Sequence, residues 1–160
     1  MKNTLDACCG SRMFWFNKEN PLTVFHDKRS LDTTLCDGRQ LIVDPDVIGD
    51  FTNLSFDDAK FKMVVLDPPH LKNVGETSWT YLKYGKLPKD FKPHLAKMFN
   101  ECFRVLEDDG VLIFKWNEDQ ILTSEIVALS PYKPMIGHRS GKQQKTHWVV
   151  FMKNKAMKHA

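Results

Sequence analysis

Asp67-Pro68-Pro69-His70 closes the apolar run Phe61-Lys62-Met63-Val64-Val65-Leu66 and is the stretch of this sequence with the clearest chemical use. Proline fixes φ and removes a backbone donor, so Asp67 and the carbonyls beside it project from a corner that relaxes into neither helix nor sheet. Two rigid acceptors then face one donor-rich group, and an exocyclic amine of a nucleobase is such a group. Holding its protons leaves the nitrogen lone pair aimed at an electrophile. An ordinary Pro-Pro turn after a strand accounts for the same residues. His70 reads as a planar ring that stacks on a base, or as a general base, since a free imidazole titrates near pH ~6.5. A metal-ligand role lacks partners, because no other His or Cys lies nearby at a ligand-like spacing.

A second group of residues precedes it. Leu5-Asp6-Ala7-Cys8-Cys9-Gly10-Ser11-Arg12 follows a very short strand candidate and leads into Met13-Phe14-Trp15-Phe16, an apolar segment able to open a helix. An acid at a strand end, then small residues and a glycine, lets a ligand approach the backbone closely. Seventeen residues beyond Gly10, the strand candidate Leu22-Thr23-Val24-Phe25-His26 ends in Asp27, near the offset at which dinucleotide-type folds place a ribose-binding acid. Asp50 follows Gly49 and precedes Phe51, where an acid beside an aromatic ring suits the flank of an adenine, or serves as a solvated loop acid. Strands ending in Asp6, Asp27 and Asp67, with Asp50 between, fit the rule that open α/β sheets bind ligands outside the carboxyl ends of their strands.

With these residues in that order, the chain resembles the class I S-adenosylmethionine-dependent methyltransferases. Its Asp67-Pro68-Pro69-His70 is similar to the catalytic tetrapeptide of the branch that methylates amines of adenine or cytosine in nucleic acids. The likeness runs from about Leu5 to Met152, and its most specific parts, Asp6 to Gly10 and the tetrapeptide, lie about 60 residues apart. The resemblance implies that Asp6, Ala7, Cys8 and Gly10 approach the methionine part of S-adenosylmethionine, that Asp27 takes its ribose hydroxyls, and that Asp50 or Phe51 flanks its adenine. It implies that Asp67 and the Pro68 carbonyl hold the target amine, with Pro69 and His70 completing the corner and His70 stacking on the base. Adenine N6 is the leading target, and DNA stands ahead of RNA. A non-catalytic nucleic-acid-binding or regulatory module, or a methyltransferase for a protein or small-molecule amine, is the alternative. The sequence departs from the family in carrying one glycine in the loop and His at position 70, where an aromatic ring is usual.

Alternating strand and helix signals predict an α/β, Rossmann-like three-layer sandwich with a mostly parallel sheet and a C-terminal antiparallel strand. Leu95, Met98, Phe99, Cys102, Phe103 and Leu106 recur at helical spacing, with Pro93 in the first turn and Asp108-Asp109-Gly110 as the stop. Val111 to Trp116 reads as a buried strand that carries Lys115, Trp116 and Asn117 to the same crevice. Ile126-Val127-Ala128-Leu129 is a further strand candidate, and Thr146 to Met152 an edge strand. Residues 71–92 lack apolar periodicity but interleave Lys72, Lys83, Lys86, Lys89 and Lys92 with Trp79, Tyr81 and Tyr84. That mixture pairs with phosphates and stacks bases, or packs as a short amphipathic segment. Gly137 to Lys145 is polar and basic, a phosphate-contacting loop or a solvated hairpin.

The 160 residues predict one domain, 1–152, without a separate target-recognition domain and with a disordered tail over 153–160. Short or relaxed sequence specificity, or a homodimer, is then expected. No apolar run approaches a membrane span and no signal peptide is evident, so a cytoplasmic protein is expected. Cys8, Cys9, Cys36 and Cys102 show no metal or disulfide spacing and read as small buried thiols. Charge is uneven: residues 1–70 hold 8 Lys and Arg against 11 Asp and Glu, and residues 71–160 hold 15 against 9. An acidic first half suits a cationic sulfonium ligand, and a basic second half suits a phosphate backbone.

Overall fold

Short apolar runs that end in aspartate build the centre of the sheet. In the computed structural model, which describes residues 1–160, the elements in chain order are β1 (Thr4–Asp6), β2 (Thr23–Asp27), β3 (Leu31–Thr34), β4 (Gln40–Val43), β5 (Val47–Ile48), β6 (Phe61–Leu66), α1 (Trp79–Tyr84), α2 (Phe91–Val105), β7 (Leu106–Asn117), α3 (Thr123–Val127), β8 (Pro134–Ser140) and β9 (Thr146–Met152). Seven strands form one sheet in the order β5-β2-β1-β6-β7-β9-β8, and β3 and β4 form a separate antiparallel pair. The pairings β1–β2, β1–β6, β2–β5 and β6–β7 are parallel, whereas β7–β9 and β8–β9 are antiparallel. The expected α/β sheet with its C-terminal antiparallel addition is thus observed. From β1 the chain winds outward to β2 and β5, then returns to β6 on the other side and continues to β7. The strand order therefore reverses between β1 and β6, the point at which such sheets open a crevice.

The apolar face of α2 covers the β7 side of the sheet. Leu95, Met98, Phe99, Cys102 and Phe103 are buried on it, and Phe99 lies 5.2 Å from Phe114 and 6.0 Å from Phe151 between ring centroids. Pro93 falls in the first turn, as expected. The helix ends earlier than predicted, at Val105, because Leu106 turns extended and pairs with Phe61. Asp108-Asp109-Gly110 therefore lies within β7. Arg104 fixes that end, donating to Glu101, Asp58 and the carbonyls of Leu54 and Phe56.

Other expectations need correction. Met13 to Phe16 opens no helix, because Trp15 and Arg12 are drawn into side-chain bonds and the β1–β2 connection is a run of turns. Ile126 to Leu129 is not a strand, since Ile126 and Val127 end α3, with Ile126 buried under it. β9 is interior rather than an edge; β8 pairs along its outer side and is itself the edge. Gly137 to Ser140 accordingly belongs to a strand, and only the following residues form the hairpin turn. Residues 79–84, in the stretch without periodicity, form the short helix α1. The segment after Met152 folds back: Lys153 exchanges backbone bonds with Asp109 and Gly110, and Lys133 N–H donates to the Met157 carbonyl at 2.7 Å. Cys36 is exposed, unlike the buried Cys9 and Cys102. No helix is long and apolar enough to cross a membrane.

Candidate active site

Register alone brings the two sequence motifs together. Asp6 lies opposite Val65 in the β1–β6 pairing, so the loop after β1 and the corner after β6 leave the sheet side by side. Between and above them is a cleft of about 670 Å³. Ala7, Cys8, Cys9 and Gly10 line one wall, Asp67, Pro68 and Pro69 another, and Asp27, Asp50 and Phe51 a third. Ten of the residues singled out from the sequence thus surround one space.

The glycine loop is held from beneath. Ala7 N–H donates to the Val65 carbonyl (3.0 Å), Cys9 N–H to the His26 carbonyl (2.9 Å) and Gly10 N–H to Asp27 Oδ2 (2.8 Å). Gly10 has φ +49°, and a Cβ there would meet nothing within 4 Å, so the backbone at this point is open to the cleft. Asp27 is buried; its Oδ1 accepts Arg29 N–H at 2.9 Å and lies 3.5 Å from Arg29 Nε. Asp50 accepts from the Thr52 amide and hydroxyl and from Lys28. Burial opposes these bonds, but together they draw its carboxyl down to about 2. Phe51 packs 5.2 Å from His94, and both line the cleft.

Asp6 does not reach the cleft. It is fully buried at the end of the central strand, accepting from Trp15 Nε1 (2.7 Å) and Cys8 N–H (3.4 Å). Burial pushes its carboxyl up to about 7, against those two bonds, and the charges of Asp67 and Asp27 add to the rise. Burial and the same carboxylates keep the Cys8 thiol well above its ordinary range, so Cys8 is no thiolate nucleophile.

Asp67 is not alone. Lys115 Nζ donates to Asp67 Oδ2 at 2.8 Å, with the two side chains 22% and 20% exposed. The same ammonium lies 5.4 Å from the Phe14 ring and 5.7 Å from the Trp148 ring, which meet edge to face at 5.4 Å. Asp67 Oδ1 and the Pro68 carbonyl accept no hydrogen bond from the chain. The corner therefore has one anchored oxygen and two free acceptors.

His70 is half-buried outside the cleft lining, 5.5 Å from the Tyr84 ring and 6.2 Å from Trp116. Burial lowers its pKa, which favours the neutral ring. Tyr84 takes the cleft-facing position, with Tyr81, Lys83 and Lys86 beside it. Trp116 is fully buried, donating to the Ile121 carbonyl at 3.0 Å, and Asn117 bonds Thr146; both are packing residues. Tyr84 belongs to the aromatic stretch that the sequence offers for base stacking, whereas Phe14, Arg29 and His94 carry no such signal. Only the strand register and the fold of α1 bring them to the site.

No protein-family model matches the chain, and no curated protein matches it in sequence. Solved structures match its fold. The PH0226 protein from Pyrococcus horikoshii OT3 superposes with a TM-score of 0.62 at 16% identity, over 94% of this chain and 81% of that one. The N-methyltransferase NodS from Bradyrhizobium japonicum WM9 superposes with a TM-score of 0.60 at 11% identity, over 96% and 86%. A SAM-dependent methyltransferase from Methanosarcina mazei gives 0.56 at 10% identity, over 96% and 94%. At such identities the likeness is one of fold: this chain shares the Rossmann-like α/β sheet of these structures.

Proposed function

We propose that the chain is an S-adenosylmethionine-dependent methyltransferase acting on an exocyclic amine of a nucleic-acid base, with adenine N6 in DNA as the target. The observation that carries this reading is the pair of free acceptors, Asp67 Oδ1 and the Pro68 carbonyl, in one cleft with the Gly10 loop and Asp27.

The residues present fit the cofactor. The cleft volume lies within the ~300–1,000 Å³ usual for small-molecule sites. Open space at Gly10 admits a ligand against the backbone, the buried Asp27 carboxylate suits a ribose diol, and Phe51 with His94 forms an aromatic wall for an adenine. When bound, S-adenosylmethionine supplies an electrophilic methyl group on a sulfonium.

The chain supplies position. Asp67 Oδ1 and the Pro68 carbonyl accept the two amine protons and turn the nitrogen lone pair toward the Gly10 side of the cleft, while Lys115 keeps the carboxylate from rotating. Tyr84 offers a ring face to the base, with His70 packed behind it. No strong base is needed, because the nitrogen becomes acidic only as its new bond forms, and neutral His70 is not called on to take the proton. A base within duplex DNA must first be extruded. A second reading, transfer to an alkyl amine, draws on the way Asp67, Phe14 and Trp148 already hold an ammonium, that of Lys115.

Transfer of a labelled methyl from S-adenosylmethionine to single-stranded DNA, duplex DNA, RNA, protein and a small alkyl amine, side by side, tests the reading. Label in N6-methyladenine of DNA is expected. Label only on protein or small amines would replace it with the second reading. Asp67→Ala should lose at least a hundredfold in turnover while cofactor affinity by calorimetry stays within about threefold, because Asp67 is assigned to the amine rather than the cofactor.

A further inference from the structure

After Glu125 the chain contains no Asp or Glu, yet it carries seven Lys and Arg: Lys133, Arg139, Lys142, Lys145, Lys153, Lys155 and Lys158. From Lys133 to Lys153 the β8–β9 hairpin carries five Lys and Arg and no acid. Acids approach both ends of it: at the turn Asp119 pairs with Lys145 at 2.5 Å and Glu118 faces His147 at 2.9 Å, and at the open end Asp108 lies 3.9 Å from Lys153. Lys133, Arg139 and Lys142 are exposed and form no ion pair. One-signed, unpaired charge on one element is an electrostatic footprint for a polyanion, and it disfavours a second copy of the same cationic edge.

The hairpin is also in the right place. β9 starts at Thr146, opposite Asn117 at the end of β7, and β7 runs parallel to β6. The turn after Ser140 therefore projects past the same rim of the sheet as Asp67. From that rim β8 runs down the open edge, its backbone unpaired on the outer side. Ile136 is 68% exposed, Met135 48% and nearby Leu122 57%, around a groove of about 530 Å³ that also holds Arg139 and Val127. At its base the Thr123 hydroxyl, 7% exposed, has no partner. A duplex would present only phosphates to this edge and leave the apolar side chains wet. A single strand brings phosphates to Arg139 and Lys142 and unstacked bases to Met135 and Ile136.

We propose that the β8–β9 hairpin is a docking arm for single-stranded nucleic acid, gripping the strand that carries the target base; this rests on the substrate class proposed above.

The test is fluorescence anisotropy of a labelled mixed-sequence oligodeoxynucleotide at several salt concentrations, with no cofactor present. The triple variant Lys133→Gln, Arg139→Gln, Lys142→Gln should bind at least tenfold more weakly, and its slope of log affinity against log salt should be shallower by about 2, since each lost contact to a single strand removes ~0.7. Ile136→Ser should weaken binding while leaving that slope unchanged, which separates base contact from charge. Equal affinity and slope in the triple variant would overturn the proposal. So would tighter binding to duplex DNA, to polyglutamate or to phosphatidylserine vesicles than to the single strand. The two readings fail separately. Binding through the hairpin without methyl transfer to the strand would reject the catalytic reading alone. Undiminished base methylation by the triple variant would reject the docking arm alone.

Discussion

Asp67 owes its orientation to Lys115. Of the two carboxylate oxygens, Oδ2 is fixed by the ammonium and Oδ1 is left without a partner, and Phe14 and Trp148 lie 5.4 and 5.7 Å from the ammonium. A charge-assisted bond between partly buried groups is worth about 1.5–3 kcal/mol, so its loss should cost roughly ten- to a hundredfold in turnover. We expect Lys115→Met to show that loss with cofactor affinity unchanged, and Lys115→Arg to recover part of it; steady-state kinetics with parallel calorimetry would show it. A merely structural lysine would give a protein that melts earlier yet turns over normally once folded. The tetrapeptide was legible in the sequence because its chemistry is contiguous. Lys115, 48 residues away, reads from its strand as reaching the same crevice, but its contact with Asp67 comes from the pairing of Leu66 with Phe114. Tyr84, one of the aromatics of residues 71–92, takes the cleft position that the resemblance gives to His70. Asp6 was read as facing the ligand because it ends a strand, but β1 is central and buries its last residue.

At the level of elements, α1 is the least self-sufficient part of the site. α1 has six residues and buries none of them, well short of the ~12–15 an isolated helix needs in water. Its hold comes from outside: the Ser78 hydroxyl accepts Tyr81 N–H, Leu87 N–H donates to Leu71, and Arg29 Nη1 donates to the Leu82 carbonyl at 2.8 Å. At its end Gly85, with φ +73°, packs so closely on Pro69 that a Cβ would lie 3.3 Å from Cγ. Arg29 also contacts Asp27, so one side chain spans Asp27 and α1. Arg29→Gln should therefore open residues 72–87, with backbone hydrogen exchange there faster by roughly tenfold, as loss of a charged donor worth about 1.5 kcal/mol requires. Exchange unchanged in that segment would remove Arg29 from this role. Periodicity finds α2 because Leu95, Met98, Phe99, Cys102 and Phe103 share one face over about two and a half turns. It failed for α3, where a short β-branched run fits helix or strand equally well. β3 and β4 escaped because they are short and half-exposed, although Asp37-Gly38 between Thr33-Thr34 and Leu41-Ile42-Val43 is a hairpin signal. β8 was hidden by Pro134 and Gly137, residues that an edge strand tolerates and an interior one does not.

For the molecule as a whole, gathering acids at one rim sets how stability follows pH. Asp6 has a folded value of about 7, raised first by burial and then by the charges of Asp67 and Asp27. An unfolded aspartate titrates near ~3.9. The native state thus binds this proton more tightly, so the contribution of Asp6 is fully present below pH ~3.9 and is lost progressively as pH rises through about 7. Asp50 has the opposite sign, and its contribution falls away only as pH drops from the ordinary carboxylate range through about 2. His70 and His94, both lowered by burial, favour the folded state as pH rises through the imidazole range and so oppose Asp6 within the same window. A wild-type melting curve alone would mix these effects, and Asp6→Asn separates them because the amide cannot ionise. Its carbonyl can still accept Trp15 Nε1, but its amide nitrogen would face the Cys8 N–H, so the variant should be the less stable protein in acid. The stability of the wild type relative to Asp6→Asn should then fall by up to roughly 4 kcal/mol between pH ~4 and ~7 and level off above, measured by denaturant titration at each pH. Parallel curves for the two proteins across that range would mean that Asp6 is ionised in the folded state, and that the central strand carries a buried charge balanced by Trp15 and the Cys8 amide.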